Sequence, residues 1–296
     1  MTSPGTVALL GTGLLGKAVA QRLQTTGHRV LAYNRTREKA LPLVPLGVRI
    51  VESPWQALAG SGCVLLLLAD MQAIQAVLLE PRCREELSGR TVIQMGTIGS
   101  DQSLDLERQV ERAGGRYLEA PVLGSIAEAL AGTLLAMVGA TEEQFLRWKP
   151  LLQSLASDPR LIGPVGSASA LKLALNSLIA AEIAAFSLAL GLVQRSSVPV
   201  KDFMHVLEAS ALYAPMFQKK LPRLLAHDYR NPNFSTAHLL KDVELFLAAA
   251  RRLGLECSSA EGIRPLLLKA LSRNLHDADY ASLFEVVNPP IDERNP

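Results

Sequence analysis

The stretch from 166 to 194, GSASALKLALNSLIAAEIAAFSLALGLVQ, constrains this chain more than any other. Lys172 and Glu182 are its only charged residues, and neither proline nor glycine interrupts it between Gly166 and Gly191. As a helix rising ~1.5 Å per residue it would run roughly 40 Å, about the width of a domain. Its apolar residues are not confined to one stripe, so it is expected to be covered on nearly all sides. A membrane span is the competing reading. The uninterrupted apolar segments fall short of the ~20 residues a bilayer core requires, and Lys172, Asn176 and Glu182 would each be costly there. The expectation is a central buried helix in a soluble protein, with no membrane partner.

From Thr6 to about Gly163, short apolar runs alternate with capped helical stretches. Strands are expected at 7–10, 29–33, 48–51, 64–68, 91–94, 116–119, 134–138 and 160–162. Helices are expected at 14–26, 36–46, 53–59, 71–79, 100–113, 125–131 and 142–156. Several strands are continuous Val/Leu runs, as where helices cover both faces of a sheet. Ser53 precedes Pro54 at a first helical position, and Thr141 with Gln144 has capping-box spacing. This alternation predicts an α/β unit with a mainly parallel, doubly wound sheet. After Gly163 the strand signals stop. Helices are expected at 166–194, 200–209, 213–227, 235–253, 258–274 and 279–287, with Ser235 capping one and Ser258 with Glu261 boxing another. The chain thus reads as an α/β domain over 1–163 and an all-helical domain over 164–296, the long interdomain helix opening the second.

With 296 residues, 49% of them hydrophobic, the chain can build two cores. A formal charge of +2 and the absence of basic runs argue against nucleic acid. Cys63, Cys83 and Cys257 are too scattered for a disulfide framework or a metal site, and the five histidines form no pair or triad. MTSPGTVALLG lacks a charged n-region, so no signal peptide is expected and the cytoplasm is the default location.

The first strand runs directly into Gly11-Thr12-Gly13-Leu14-Leu15-Gly16 and then a helix. In that context the glycine spacing is a Rossmann dinucleotide fingerprint. Gly11 permits the tight turn, Gly13 lets backbone approach a pyrophosphate, and Gly16 lets helix and strand pack closely. The helix N-terminus then faces the phosphates. An NAD site places Asp or Glu at the end of the second strand, on the ribose 2′-hydroxyl. This chain has Asn34-Arg35-Thr36 there, with Lys39 just after, a set suited to a 2′-phosphate. NADP(H) is the expected cofactor.

Reduction of a carbonyl needs a proton donor where the hydride arrives. Lys172, on the first turns of the long helix, is the candidate, with Asn176 one turn on along the same face. The expectation is that both face the seam between the domains. An ammonium donates in reduction, and partial burial would lower its pKa towards the working range. On composition alone the alternative stands level: Lys172 snorkels out at a helix end and Asn176 bonds a neighbouring backbone.

Together these segments resemble the β-hydroxyacid dehydrogenases, a family that includes 3-hydroxyisobutyrate dehydrogenase, tartronate semialdehyde reductase and the glyoxylate/succinic semialdehyde reductases. The glycine loop, Asn34-Arg35-Thr36, Glu119-Ala120-Pro121-Val122, Gly132-Thr133-Leu134, Gly166 with Lys172 and Asn176, and Lys241-Asp242 occur in the family's order through about Val287. The resemblance implies that Lys172 is catalytic and Asn176 its substrate-binding neighbour. It also implies that Leu68-Ala69 and Thr97 line the cofactor and that Lys241 reaches it from the helical domain, where the residues alone suggest a solvated Lys241-Asp242 pair. One departure stands out. The family's Pro-Val-Ser-Gly is here Pro121-Val122-Leu123-Gly124-Ser125, and Leu123 cannot hold a substrate carboxylate as serine does. Backbone N–H groups at Gly124 and Ser125, or the Ser125 hydroxyl, are the expected substitutes. Asp70 and Glu119, at strand ends, carry no expected catalytic role.

The resulting expectation is an NADPH-dependent reductase of a small aldehyde or keto acid, homo-oligomeric as dimer or tetramer. The rivals are an imine reductase of the same architecture and a cofactor-binding interaction module without turnover.

Overall fold

The computed structural model describes residues 5–289. The chain divides into two compact units, Met1–Leu173 and Ala174–Pro296. The division falls inside the long helix.

The first unit holds a nine-stranded sheet. Its strands are β1 (Thr6–Leu10), β2 (Arg29–Tyr33), β3 (Arg49–Ile50), β4 (Cys63–Leu66), β5 (Thr91–Gln94), β6 (Arg116–Glu119), β7 (Val122–Leu123), β8 (Leu135–Gly139) and β9 (Arg160–Gly163). The order is β3-β2-β1-β4-β5-β6-β8-β7, with β9 beside β8. β1 to β6 pair in parallel, while β8 runs antiparallel to β6 and β7. Alternate residues feed two cores. Val7, Leu9, Leu65, Ile93 and Leu118 enter one, and Ala8, Leu10, Val64, Leu66, Val92 and Tyr117 enter the other. Burial on both faces is why these strands read as unbroken apolar runs. The helices α1 (Leu14–Thr25), α2 (Pro54–Ala59), α3 (Met71–Leu78), α4 (Pro81–Glu86), α5 (Ser100–Arg112), α6 (Ile126–Ala131) and α7 (Glu142–Gln153) connect the strands.

Three local features of this unit differ from expectation. The segment expected as a helix over 36–46 is two 3-10 stretches, Arg37–Lys39 and Leu41–Leu46, because Pro42 and Pro45 each remove an amide donor. α4 and β7 were not anticipated. β7 has only two residues, too few to show a period of two.

The long helix is α8 (Ser167–Arg195), followed by α9 (Val200–Glu208), α10 (Pro215–Ala226), α11 (Thr236–Arg252), α12 (Ser258–Glu261), α13 (Ile263–Ser272) and α14 (Phe284–Val287). One helix expected over 258–274 is therefore two, parted at Gly262. Ser258 donates its N–H and hydroxyl to Glu256, and Glu261 pairs with Arg251, so the expected Ser258–Glu261 box is not formed. Among the described residues α8 is the helix long and apolar enough, by length and composition, to cross a membrane. Ile183, Phe186 and Leu190 sit in the core of the second unit with Leu224, Leu239, Leu267 and Phe284. It is not covered all round, however. Leu178, Leu188 and Leu192 are 56%, 63% and 68% exposed, so one apolar row stays open.

Beneath this core lies a buried ion pair. Lys220 Nζ stands 2.7 and 2.8 Å from the two carboxylate oxygens of Asp279 and 4.1 Å from the centre of the Tyr280 ring. Burial lowers the pKa of Lys220 while Asp279 opposes that shift. Lys220→Met would leave the Asp279 charge buried and uncompensated. The expected loss is about 3–5 kcal/mol, read as a lower midpoint in chemical denaturation of the full chain.

Candidate active site

Parallel strands place their C-terminal ends along one edge, and a ligand crevice opens where the strand order reverses. Here the reversal lies between β1 and β4. Gly11, directly after β1, donates its N–H to Tyr33 O at 2.9 Å and has φ +104°. A Cβ there would lie 2.3 Å from Leu67 O, so both conformation and space demand glycine. At Gly16 a Cβ would lie 2.1 Å from Gly11 O, which closes the loop onto α1. At Gly13 a Cβ would meet nothing within 4 Å.

The loop fits a dinucleotide's phosphates. Open space lies over Gly13, the first turn of α1 carries no acidic side chain, and the first amides of a helix lack intrahelical acceptors. The buried Thr12 Oγ1 has no hydrogen-bond partner among the described residues. Leu14 is exposed and Leu15 half-buried at the start of that helix.

Asn34, at the end of β2, is already engaged. Its Oδ1 accepts the Thr12 N–H at 3.0 Å and its Nδ2 donates to Thr36 O at 2.8 Å. It braces the glycine loop against the second strand. Arg35, Thr36 and Lys39 are exposed beside it, and Arg37 pairs with Glu52.

The loop after β4 meets the glycine loop at Leu67, and the loop after β5 packs on the loop after β4. A Cβ on Gly96 would stand 2.6 Å from Leu68 O, and Gln94 Nε2 donates to Gly96 O at 3.1 Å. Leu67-Leu68-Ala69 and Met95-Gly96-Thr97 are thereby gathered at the crevice where the strand order reverses.

After β6 the chain turns through Leu123, Gly124 and Ser125. Gly124 has φ +119°, and a Cβ would crowd Leu134 and Glu128. Ser125 caps α6, donating both its N–H (2.7 Å) and its hydroxyl to Glu128 Oε2. Two of the three donors expected to hold a substrate carboxylate, both on Ser125, are spent on a carboxylate already present.

Lys172 is 8% exposed in the second turn of α8. Upstream of it, Glu119 at the end of β6 is fully buried. Its Oε1 accepts the N–H groups of Gly166, Ala168 and Ser169, and its Oε2 accepts the hydroxyls of Ser103 and Ser169. Glu119 carries no expected catalytic role in the sequence, where nothing local links it to a helix nearly fifty residues on.

In the second unit Asn176 Nδ2 donates to Asp242 Oδ2 at 2.6 Å, leaving Asn176 Oδ1 without a partner among the described residues. Lys241 Nζ pairs with Asp242 Oδ1 at 2.8 Å. Asp242 is 2% exposed, so this is no solvated pair.

The family model for the NAD binding domain of 6-phosphogluconate dehydrogenase matches residues 6–166. That for the NAD-binding domain of NADP-dependent 3-hydroxyisobutyrate dehydrogenase matches 166–287. The chain belongs to the β-hydroxyacid dehydrogenase family. As a member it is an oxidoreductase acting on CH–OH groups with a nicotinamide cofactor. It is 29% identical to glyoxylate/succinic semialdehyde reductase 1 of Arabidopsis thaliana, over 95% of this chain and 98% of that one. It is 26% identical to the cytokine-like nuclear factor N-PAC of Drosophila melanogaster, over 85% of this chain but 42% of that protein. The solved 3-hydroxyisobutyrate dehydrogenase of Mycobacterium tuberculosis with L-serine shares the fold, with TM-score 0.83 and 23% identity over 96% of this chain and 99% of that one.

The geometry of the loop makes a direct prediction for this family member. Gly11→Ala should weaken nicotinamide dinucleotide binding at least about tenfold, equivalent to about 1.4 kcal/mol. Fluorescence titration checks this, with circular dichroism confirming unchanged helix content.

Proposed function

We propose that this protein is an NADPH-dependent reductase of small aldehydes or keto acids, with glyoxylate and succinic semialdehyde as the leading substrates. The observation that carries the proposal is Lys172, a nearly buried lysine in the second turn of α8, with Asn176 one turn on and tied to buried Asp242. When bound, the cofactor supplies the hydride. Lys172 then gives a proton to the carbonyl oxygen as that oxygen gains charge, and its amine recovers a proton from solvent. Asn176 offers its unpartnered Oδ1 as an acceptor for the product hydroxyl that this proton creates. Lys241 holds the other side of the Asp242 carboxylate and keeps that amide oriented.

NADPH is preferred over NADH in this reading because β2 ends in Asn34-Arg35-Thr36, without an acidic side chain to meet a ribose 2′-hydroxyl. Asn34 is occupied in bracing the loop, so Arg35 is the principal partner offered to a 2′-phosphate. Leu123 stands where the family resemblance implies a serine, and Ser125 is held by Glu128. Of the two leading substrates, succinic semialdehyde, whose carboxylate is placed farther from the carbonyl, suits that surface better than glyoxylate. The proposal also takes the enzyme as a cytoplasmic homo-oligomer whose association covers the open row Leu178, Leu188 and Leu192.

The deciding experiment is oxidation of NADPH, with NADH beside it, against short aldehydes, keto acids and a cyclic imine. Carbonyl turnover should dominate. Lys172→Ala should lower kcat by about 10²–10⁴-fold with NADPH affinity retained, and near-normal turnover would remove the lysine from its role. Leu123→Ser should raise kcat/KM for glyoxylate about tenfold, the worth of one hydrogen bond to a charged group. An unchanged ratio would separate the substrate carboxylate from this turn.

A further inference from the structure

We infer that Glu119 is the positioning residue for Lys172. The inference rests on Lys172 being the proton donor. A helix begins with amides that have no intrahelical acceptor, and a side chain at the residue before the helix commonly supplies one. Here that residue is Gly166, which has no side chain and sits at φ +96°. The capping oxygen comes instead from Glu119, on β6. Glu119 Oε1 accepts Gly166 N–H at 2.9 Å, Ala168 N–H at 2.8 Å and Ser169 N–H at 3.0 Å. The intervening Ser167 N–H goes to Pro164 O at 3.1 Å, and the first helical bond runs from Ala170 N–H to Gly166 O. The amides of Gly166 and of the opening turn of α8 are thus accounted for, three of them by one oxygen.

Glu119 Oε2 is fixed just as closely. It accepts the hydroxyls of Ser169 and Ser103. Since the Ser103 proton is committed there, the Tyr117 hydroxyl must be the donor in its 2.8 Å bond to Ser103 Oγ. Burial pushes the Tyr117 phenol well above its ordinary pKa, so that donor stays protonated. Every group around the carboxylate donates, and a carboxylate only accepts. It also carries negative charge to the positive end of the helix. Gly139, paired with Glu119 across β6 and β8, leaves the needed room, because a Cβ there would fall 2.4 Å from Oε1.

Lys172 lies three residues after Ser169 and four after Ala168, on the helix face above the residues that Glu119 grips. Any shift or rotation of the first turn carries the lysine with it. Glu119 itself is fully buried, and its two oxygens are engaged by five donors, so it acts through Lys172 rather than on substrate.

The test is a double-mutant cycle in the full-length enzyme. Glu119→Gln keeps the volume but turns an N–H group towards donors. Its kcat should fall roughly 10²-fold, the cost of a misplacement near 1 Å, with little change in NADPH affinity. In the Lys172→Ala background the same substitution should change the residual rate less than about twofold, since a residue acting through the lysine has nothing left to position. Loss by the same factor in both backgrounds would make Glu119 a structural residue only, and full turnover by Glu119→Gln would also overturn the inference. If Glu119→Gln does not fold, Gly139→Ala, which displaces the carboxylate, and Ser169→Ala, which removes one of its donors, enter the same cycle under the same criteria. Normal turnover by Lys172→Ala alone fails the lysine assignment and the inference with it. A dead Lys172→Ala with additive Glu119→Gln fails the inference alone.

Discussion

A single buried carboxylate gathers the end of a strand, a helix from the sheet layer and the first turn of the longest helix. Glu119 takes five donors from Ser103, Gly166, Ala168 and Ser169. A buried carboxylate without such partners would be strongly destabilising, and helix amides without acceptors would be costly too. Each deficit answers the other. The result fixes where α8 starts and which way its early residues face. The residue before that helix is glycine because the acceptor arrives from elsewhere, leaving the local chain free to take φ +96°.

Much of the fold was legible because burial on two faces writes itself into composition. In β1, Val7 and Leu9 enter one core while Ala8 and Leu10 enter the other, so no polar residue interrupts the strand. The same holds through β4, where Cys63, Val64, Leu65 and Leu66 are all buried. Where local chemistry opposed the pattern, the pattern misled. Pro42 and Pro45 sit in an apolar segment that looks helical and settles as 3-10 turns. The apolar surround of α8 suggested cover on nearly all sides. Leucine at 178, 188 and 192 is nonetheless exposed, for hydrophobicity reports a preference for burial and does not supply the neighbour.

The candidate site was legible in part, and the division follows sequence distance. The glycine loop announces itself because one of its constraints is local: a Cβ on Gly16 would fall 2.1 Å from Gly11 O. Asn34 was visible as a polar residue at a strand end, but its bond to the Thr12 N–H crosses 22 positions and shows it as a brace. Asp242 looked like half of a solvated pair. Its bond to Asn176 spans 66 positions and lies out of solvent. Ser125 is expected to offer its N–H or its hydroxyl to a substrate, and the acceptor that claims both, Glu128, stands only three residues on in a capping box. The spacing from Ser125 to Glu128 carries that capping signal.

The Ser125–Glu128 box bears directly on substrate choice. In an anion-holding turn, N–H and O–H donors converge on open space. Here the Ser125 N–H and hydroxyl converge on a carboxylate oxygen within the chain, and the neighbouring Leu123 offers no donor. A substrate carboxylate placed at this turn would have to displace Glu128 from two charge-assisted hydrogen bonds and then lie near the charge it displaced. Both costs fall on the ground state and the transition state alike, so they act on KM more than on kcat. In the proposed reaction, selectivity among short carbonyl compounds would depend at this turn on how little a substrate needs an anion held there, while the proton chemistry would depend on α8.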